Sequence, residues 1–235
     1  MFAAAASDYT ALWFFLVVAV VIGLIFYQAR KRAQDLERVA QELGLRFEAK
    51  EAKEALPDPG FGALPLFQHS RARSNILSGR RGTGDIFLAD VRVGSGKNSY
   101  MQTVACFHLR GRGLPKFELM PESWGHKLAQ AFGYKDIDFE SSPEFSRSYQ
   151  LRGEDETGVR GLFGADLLHF FTGEKGWTVE GAGDWLCVFF TGEEGSTVEG
   201  AGDRYRFAST VSPKDIRAFL DETEAVAQQF ARSRW

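Results

Sequence analysis

The chain has 235 residues, of which 44% are hydrophobic and 25% are charged, and its formal net charge is −3. This balance excludes an intrinsically disordered chain, since such chains have few hydrophobic residues and a high net charge. Two cysteines are too few for a disulfide-stapled domain, and the slightly acidic total gives no reason to expect a nucleic-acid partner. We therefore expect a folded chain whose cysteines are reduced and buried.

The first predicted element is a membrane-spanning helix over residues 9–29. This stretch has no charged residue and is rich in Leu, Val, Ile and Phe. A helix of this length measures about 30 Å, which is the thickness of the hydrocarbon core of a bilayer. Trp13 and Tyr27 lie near its ends, where aromatic side chains prefer the membrane interface.

The charges around this helix predict its orientation. Arg30, Lys31 and Arg32 follow it directly, whereas the tail of residues 1–8 contains only Asp8 as a charged side chain. Positive residues favour the cytoplasmic side, so we expect the tail outside and the rest of the chain inside, at a bacterial inner membrane. A cleaved signal peptide is the alternative, but it needs positive charge before the apolar run and small residues after it.

Residues 30–47 are predicted to continue as an amphipathic juxtamembrane helix that ends near Gly44. Leu36, Val39, Ala40 and Leu43 recur with helical spacing. Residues 48–62 contain several prolines and glycines and are predicted to be a linker. The remainder, 63–235, is predicted to form a cytoplasmic domain, either as one unit or as two lobes divided at residue 133.

Apolar runs separated by glycine-rich turns predict strands in the first half of this domain. Short turns join antiparallel neighbours, so we expect a mainly antiparallel sheet. The predicted strands are 74–78, 85–93, 100–109 and 116–120, followed later by 147–151 and 185–190. Helices are predicted over 121–132, 154–171 and 212–231, so the fold class is α+β, with the helices covering the sheet.

The charge distribution predicts a contact with lipid. Residues 30–120 contain 16 Lys and Arg against 10 Asp and Glu, whereas residues 121–235 contain 12 against 20. Anionic headgroups attract basic residues near the membrane surface. The candidates for lipid contact are Arg71, Arg73, Arg80 and Arg81. The alternative interpretation is an uneven distribution of ordinary surface charges that has no lipid partner.

Two segments repeat with a period of 19 residues. The sequence Phe-Phe-Thr-Gly-Glu occurs at 170–174 and 189–193, and Thr-Val-Glu-Gly-Ala-Gly-Asp occurs at 178–184 and 197–203. We interpret this tandem repeat as a local duplication, because two copies do not build a repeat architecture. The acidic turns are poor cation sites, since calcium loops need more ligands at closer spacing.

Known chemical motifs are incomplete in this sequence. Residues 94–97 read Gly-Ser-Gly-Lys, but Val91 replaces the first glycine of a phosphate-binding loop and Asn98 replaces its Ser or Thr. The four histidines show no close pairing that would predict a zinc site. No catalytic residue can be assigned from spacing, and no cofactor is expected.

One acidic segment is a candidate metal site. In an extended chain, Asp136, Asp138 and Glu140 would project from one face. Three carboxylates on one face could bind a divalent metal. The alternative, which we favour, is an edge strand whose charged face prevents edge pairing.

Several stretches resemble a group of uncharacterised bacterial single-pass membrane proteins with a cytoplasmic domain of unknown function. The resemblance covers roughly residues 44–230 and implies an inner-membrane setting, but it supplies no activity. It is carried by residues 102–104, 114–122, 136–139, 143–146 and 177–181.

These observations favour a membrane-tethered interaction or assembly domain, with the membrane, a protein partner and anionic lipid as expected contacts. A folded, aromatic-rich domain without a recognisable site is typical of a binding module. The alternatives are a metal-dependent enzyme and a sensor of lipids or small molecules at the inner leaflet.

Overall fold

The computed structural model describes residues 2–50, 59–93, 99–122, 136–192 and 209–233, with backbone alone at 2–12, 59–60 and 69–72. Helix α1 (Phe2–Leu43) runs without interruption through the apolar segment and the juxtamembrane segment. Within the described chain it is the one helix long and apolar enough to cross a membrane. The large apolar side chains from Trp13 to Tyr27 are exposed.

Within the described residues, eight strands form an antiparallel sheet in the order β1-β2-β3-β4-β8-β7-β5-β6. The strands are β1 (Arg46–Lys50), β2 (Ser70–Arg81), β3 (Gly84–Val93), β4 (Tyr100–His108), β5 (Leu114–Pro121), β6 (Tyr149–Gly153), β7 (Trp177–Gly183) and β8 (Trp185–Phe190). The later described helices are α2 (Pro65–His69), α3 (Pro143–Ser148), α4 (Glu156–Leu162), α5 (Ala165–Gly173) and α6 (Ile216–Arg232). The predicted α+β class is therefore confirmed.

The two faces of the sheet are covered differently. The face that includes Phe117 and Leu186 packs against the end of α1 and against helices α3 to α6, and it forms the larger core. The opposite face, which includes Phe87 and Trp185, packs against the segment Pro59–His69. This segment consists of a 3₁₀ turn and α2, and we call it the plug.

Several boundaries differ from the predictions. Residues 46–50 form an edge strand instead of the end of a helix and the start of a linker. Pro121 is the last residue of β5 and Glu122 after it is helical, while the rest of the predicted helix 121–132 lies outside the described ranges. The predicted helix 154–171 is two helices that divide at Gly164, whose backbone is extended. Strand β7 was not predicted, because its second half is rich in glycine.

Gly181 provides a test of the packing between β5 and β7. It lies opposite Phe117, and a Cβ on Gly181 would overlap the phenylalanine ring. That ring is held by Phe163 and Phe230, at centroid distances of 5.3 and 5.5 Å, and cannot move away. Gly181→Ala is therefore expected to lower the free energy of unfolding by about 1–3 kcal/mol, measured by chemical denaturation of the full chain. The control Gly161→Ala, where a Cβ meets open space, should cause no loss; equal losses would contradict the packing argument.

Candidate functional site

The part of α1 that follows the apolar segment is joined to the sheet by a partly buried ion pair. The Arg32 guanidinium donates from Nε to Asp90 Oδ2 and from Nη2 to Asp90 Oδ1, both at 2.9 Å. Its Nη1 donates to the Val211 carbonyl at 2.8 Å. Paired bonds of this kind fix orientation as well as distance. Arg32 is thus directed toward the domain, while Arg30 and Lys31 are exposed.

Asp90 has two further donors on neighbouring strands. Asn75 Nδ2 donates to Oδ2 at 2.8 Å, and Thr103 Oγ1 donates to Oδ1 at 2.6 Å. Asn75 has a φ of +51° at an irregularity of β2, a conformation that asparagine adopts more readily than most residues. The amide of Val211 donates to Thr103 Oγ1 at 2.9 Å. These five residues, Arg32, Asn75, Asp90, Thr103 and Val211, form what we call the anchor hub.

Apolar contacts extend this junction along α1. Leu36 and Ala40 are buried in the larger core, and the Leu45 amide donates to the Ala40 carbonyl at 2.8 Å. The helix therefore leaves its apolar segment and enters the core without a break. Asp90 was not among the residues singled out from the sequence. A carboxylate within the apolar run of β3 nevertheless indicates a buried charge, and a buried charge needs a partner.

A second polar cluster crosses the plug face of the sheet. Arg152, Glu118, Glu180 and Cys187 are successive cross-strand partners on β6, β5, β7 and β8. Cys106 on β4 continues the row. Directly opposite residues share a face of the sheet, so all these side chains point the same way. We call this the carboxyl row.

Burial alters the acidity of both glutamates in the carboxyl row. It raises the pKa of Glu118 to about 7, an effect that the positive charge of Arg152 opposes. Burial and, secondly, the charge of Glu118 raise the pKa of Glu180 well above its usual range. The amide of Leu66 in the plug donates to Glu180 Oε2 at 2.8 Å. Two opposed buried carboxylates repel each other when both are charged, so the pair favours retention of a proton.

Not every atom of the row has a partner within the described structure. Glu118 Oε2 and Arg152 Nε are buried without a hydrogen bond there, whereas Arg152 Nη2 donates to Gln150 Oε1 at 2.6 Å. The two thiols, Cys106 and Cys187, are free and buried, with Sγ atoms 3.1 Å apart. Burial raises the pKa of the Cys187 thiol, which makes it a poor nucleophile.

The candidate metal ligands are not gathered into a site. Asp136 Oδ1 accepts a hydrogen bond from the Leu151 amide at 2.9 Å, and its backbone forms an isolated bridge with Arg152. Burial raises the pKa of Asp136. Asp138 and Glu140 are exposed. Across the described ranges, no three His, Cys, Asp or Glu side chains are placed to hold a metal ion.

The lipid-contact candidates are separated along β2, which spans residues 70–81. Arg71 lies at its beginning, and only its backbone is described. The Arg73 guanidinium stacks on aromatic rings of the plug, Phe61 at 5.4 Å and Phe67 at 4.9 Å. At the other end of the strand, Arg80 and Arg81 face acidic side chains: Asp85 for Arg80, and Asp221 and Glu224 for Arg81.

The repeat has no common structure in its described parts. Residues 170–173 end helix α5, whereas 189–190 end strand β8. In the first acidic segment, Glu180 is buried in β7, and Asp184 accepts hydrogen bonds from the amides of Gly111 and Gly113. These carboxylates therefore serve separate contacts. Residues 193–208, which hold the second acidic segment, and the glycine-rich residues 94–98 lie outside the described ranges.

Comparison with known proteins gives a likeness of fold. No family model and no curated protein matches the chain, so the resemblance to uncharacterised single-pass proteins gains no family-level support. Among solved structures, the crystal structure of the mycobacterial trehalose monomycolate transport factor A, TtfA, is similar, with a TM-score of 0.53 and 12% identity. The match covers 86% of this chain and 93% of that chain.

Proposed function

We propose that this protein is a membrane-anchored component of a lipid-transport assembly, in which the folded domain acts by binding a protein partner. The anchor hub is the observation that carries this proposal. Arg32 and Asp90 join α1 to strand β3, so the domain is tied to the helix at a point close to the end of the apolar segment. A domain tied to its anchor in this way is suited to a place within an assembly.

A likeness of fold also supports this function. The fold is similar to that of a transport factor for trehalose monomycolate, a lipid, over most of both chains. Function depends on sites rather than on folds, so the proposal needs a direct test.

The test is a lipid-distribution experiment in the bacterium that encodes the protein. After deletion of the gene and metabolic labelling of lipids, we expect one exported lipid class to accumulate in the inner membrane. The full chain should restore export, whereas a chain that begins at Arg30 should not. An unchanged lipid distribution in the deletion strain would contradict the proposed function.

The proposed topology places the N-terminal tail outside and the domain in the cytoplasm. Ser7→Cys and Glu140→Cys variants test it, because the native Cys106 and Cys187 are buried and should not react. A membrane-impermeant maleimide is expected to label the Ser7→Cys chain in intact spheroplasts and the Glu140→Cys chain only after permeabilisation. The reverse pattern would overturn this orientation and leave the anchor itself intact.

A further inference from the structure

The two cysteines of the chain face each other across two neighbouring strands. Cys106 on β4 and Cys187 on β8 are directly opposite residues in the register of these antiparallel strands. Opposite residues in such strands have Cα atoms about 4.5–5.5 Å apart, which lies within the range of about 4.4–6.8 Å that a disulfide needs. The two side chains already meet, since their Sγ atoms are 3.1 Å apart. The backbone therefore permits a disulfide without a movement of either strand.

The pair lies where the two halves of the sheet are joined. Strands β1 to β4 come first along the chain and β5 to β8 come second, and in the described sheet β4 and β8 are the neighbours that connect the two groups. Their register runs from Ala105 opposite Val188 to His108 opposite Trp185, with the cysteines inside it. A covalent bond at this position would join the two halves of the sheet directly.

Burial protects both thiols from oxidants in solution. The two side chains are 0% exposed and belong to the smaller core that the plug covers. Burial also raises the pKa of the Cys187 thiol, so that little thiolate forms there in the closed domain. An oxidant therefore reaches the pair when the plug or the whole domain opens, and the chain contains no further cysteine that would compete.

We propose that Cys106 and Cys187 form a redox modification site, at which a low-molecular-weight disulfide such as oxidised glutathione converts the two thiols into a cross-strand disulfide. One thiolate attacks the oxidant, forms a mixed disulfide and displaces one thiol. The second thiolate then attacks the protein sulfur of that bond and displaces the other thiol. Two protein S–H bonds are lost and one S–S bond forms, while the oxidant takes up two electrons and two protons and becomes two thiols.

This site does not depend on the proposed function, and its chemistry is reversible. In the cytoplasm, where the domain is proposed to lie, reducing conditions return the pair to thiols. The bond would close a loop between residues that are 81 apart in the chain, which restricts the unfolded chain more than the folded one. The usual stabilisation by such a bond corresponds to a factor of about 30 or more in the folding equilibrium constant. By linkage, the folded chain should form the disulfide more readily than the unfolded chain by the same factor.

Unfolding in two glutathione buffers tests the site. The full chain in detergent is titrated with urea in reduced glutathione and, in parallel, in a mixture of oxidised and reduced glutathione. Because the chain exchanges with its unfolded state during the titration, burial does not limit the access of the oxidant. We expect the mixture to move the urea midpoint to a higher concentration. Mass spectrometry after alkylation of free thiols should then show a chain that is lighter by two hydrogen atoms and alkylated at neither cysteine.

Cys106→Ala and Cys187→Ala are the matched controls. Each variant is compared with itself in the two buffers, so any loss of stability caused by the substitution cancels, and neither midpoint should move. A wild-type chain whose thiols stay free, or carry glutathione instead of the internal bond, would overturn the proposal. An equal shift of the midpoint in the single-cysteine variants would also overturn it, because the shift would then be an effect of the buffer.

Discussion

Replacing Asp90 by alanine is expected to lower the free energy of unfolding by about 3 kcal/mol, near the low end of the range for breaking a buried ion pair. The low end applies because the Arg32 side chain is 20% exposed, whereas that of Asp90 is 2% exposed. The substitution leaves Arg32, Asn75 and Thr103 without their shared acceptor. The measurement is urea unfolding of the full chain in detergent, followed by the fluorescence of the buried Trp177 and Trp185.

A matched control is provided by Asp35 on the same helix. It pairs with Arg38 at 3.4 Å, but the Arg38 side chain is largely exposed. Asp35→Ala is therefore expected to cost no more than about 0.5 kcal/mol. If Asp90→Ala and Asp35→Ala cost the same, the anchor hub does not hold the domain to α1. A broadened distance distribution between spin labels on α1 and the sheet in Asp90→Ala would identify the loosened junction directly.

The stability of the wild-type chain is expected to fall as the pH rises from 4.5, the ordinary pKa of glutamate, to about 7. Across this range the folded carboxyl row keeps a proton that the unfolded chain has released. The folded state then binds more protons, so raising the pH favours unfolding. The stabilisation is complete below pH 4.5 and is lost as the pH passes the folded pKa of Glu118. The slope approaches about 1.4 kcal/mol per pH unit for one proton.

Glu118→Gln tests the origin of this pH dependence. The amide is neutral at every pH and removes the charge that faces Glu180, so the slope should become shallower. The variant should exceed the wild type in stability above pH 7. Urea unfolding at a series of pH values measures both effects, with the exposed Glu140→Gln as a control that should follow the wild-type curve. Parallel curves for wild type and Glu118→Gln would show that the carboxyl row does not retain a proton.

The elements that depend on local pattern were predictable. A long charge-free stretch predicts the apolar helix, and the apolar runs at 85–93, 100–109 and 185–190 correspond to β3, β4 and β8. Short glycine-rich connections predict antiparallel neighbours. These inferences hold because helix length and strand alternation are set by adjacent residues.

The sequence indicates a buried carboxylate in each of the two polar clusters, but it does not identify the residues that the carboxylate contacts. Asp90 and Glu118 each interrupt an apolar run, which marks a buried carboxylate, but neither partner can be identified locally. Arg32 is 58 residues from Asp90, and Glu180 is 62 residues from Glu118. Their meeting depends on the strand order, in which β5 and β7 are neighbours while β4 pairs with β8.

The repeated sequence Phe-Phe-Thr-Gly shows what the sequence determines by itself and what the tertiary structure determines. The sequence alone determines that the aromatic side chains in both copies must be covered, because their apolar surface favours burial. It does not determine the backbone: residues 170–173 are helical, whereas 189–190 are extended. In the second copy, Phe189 and Phe190 pair with Thr178 and Trp177 of β7, and this ladder imposes the strand. Tertiary pairing outweighs local propensity here, because the small conformational preferences of single residues are exceeded by the hydrogen bonds and burial of the assembled sheet.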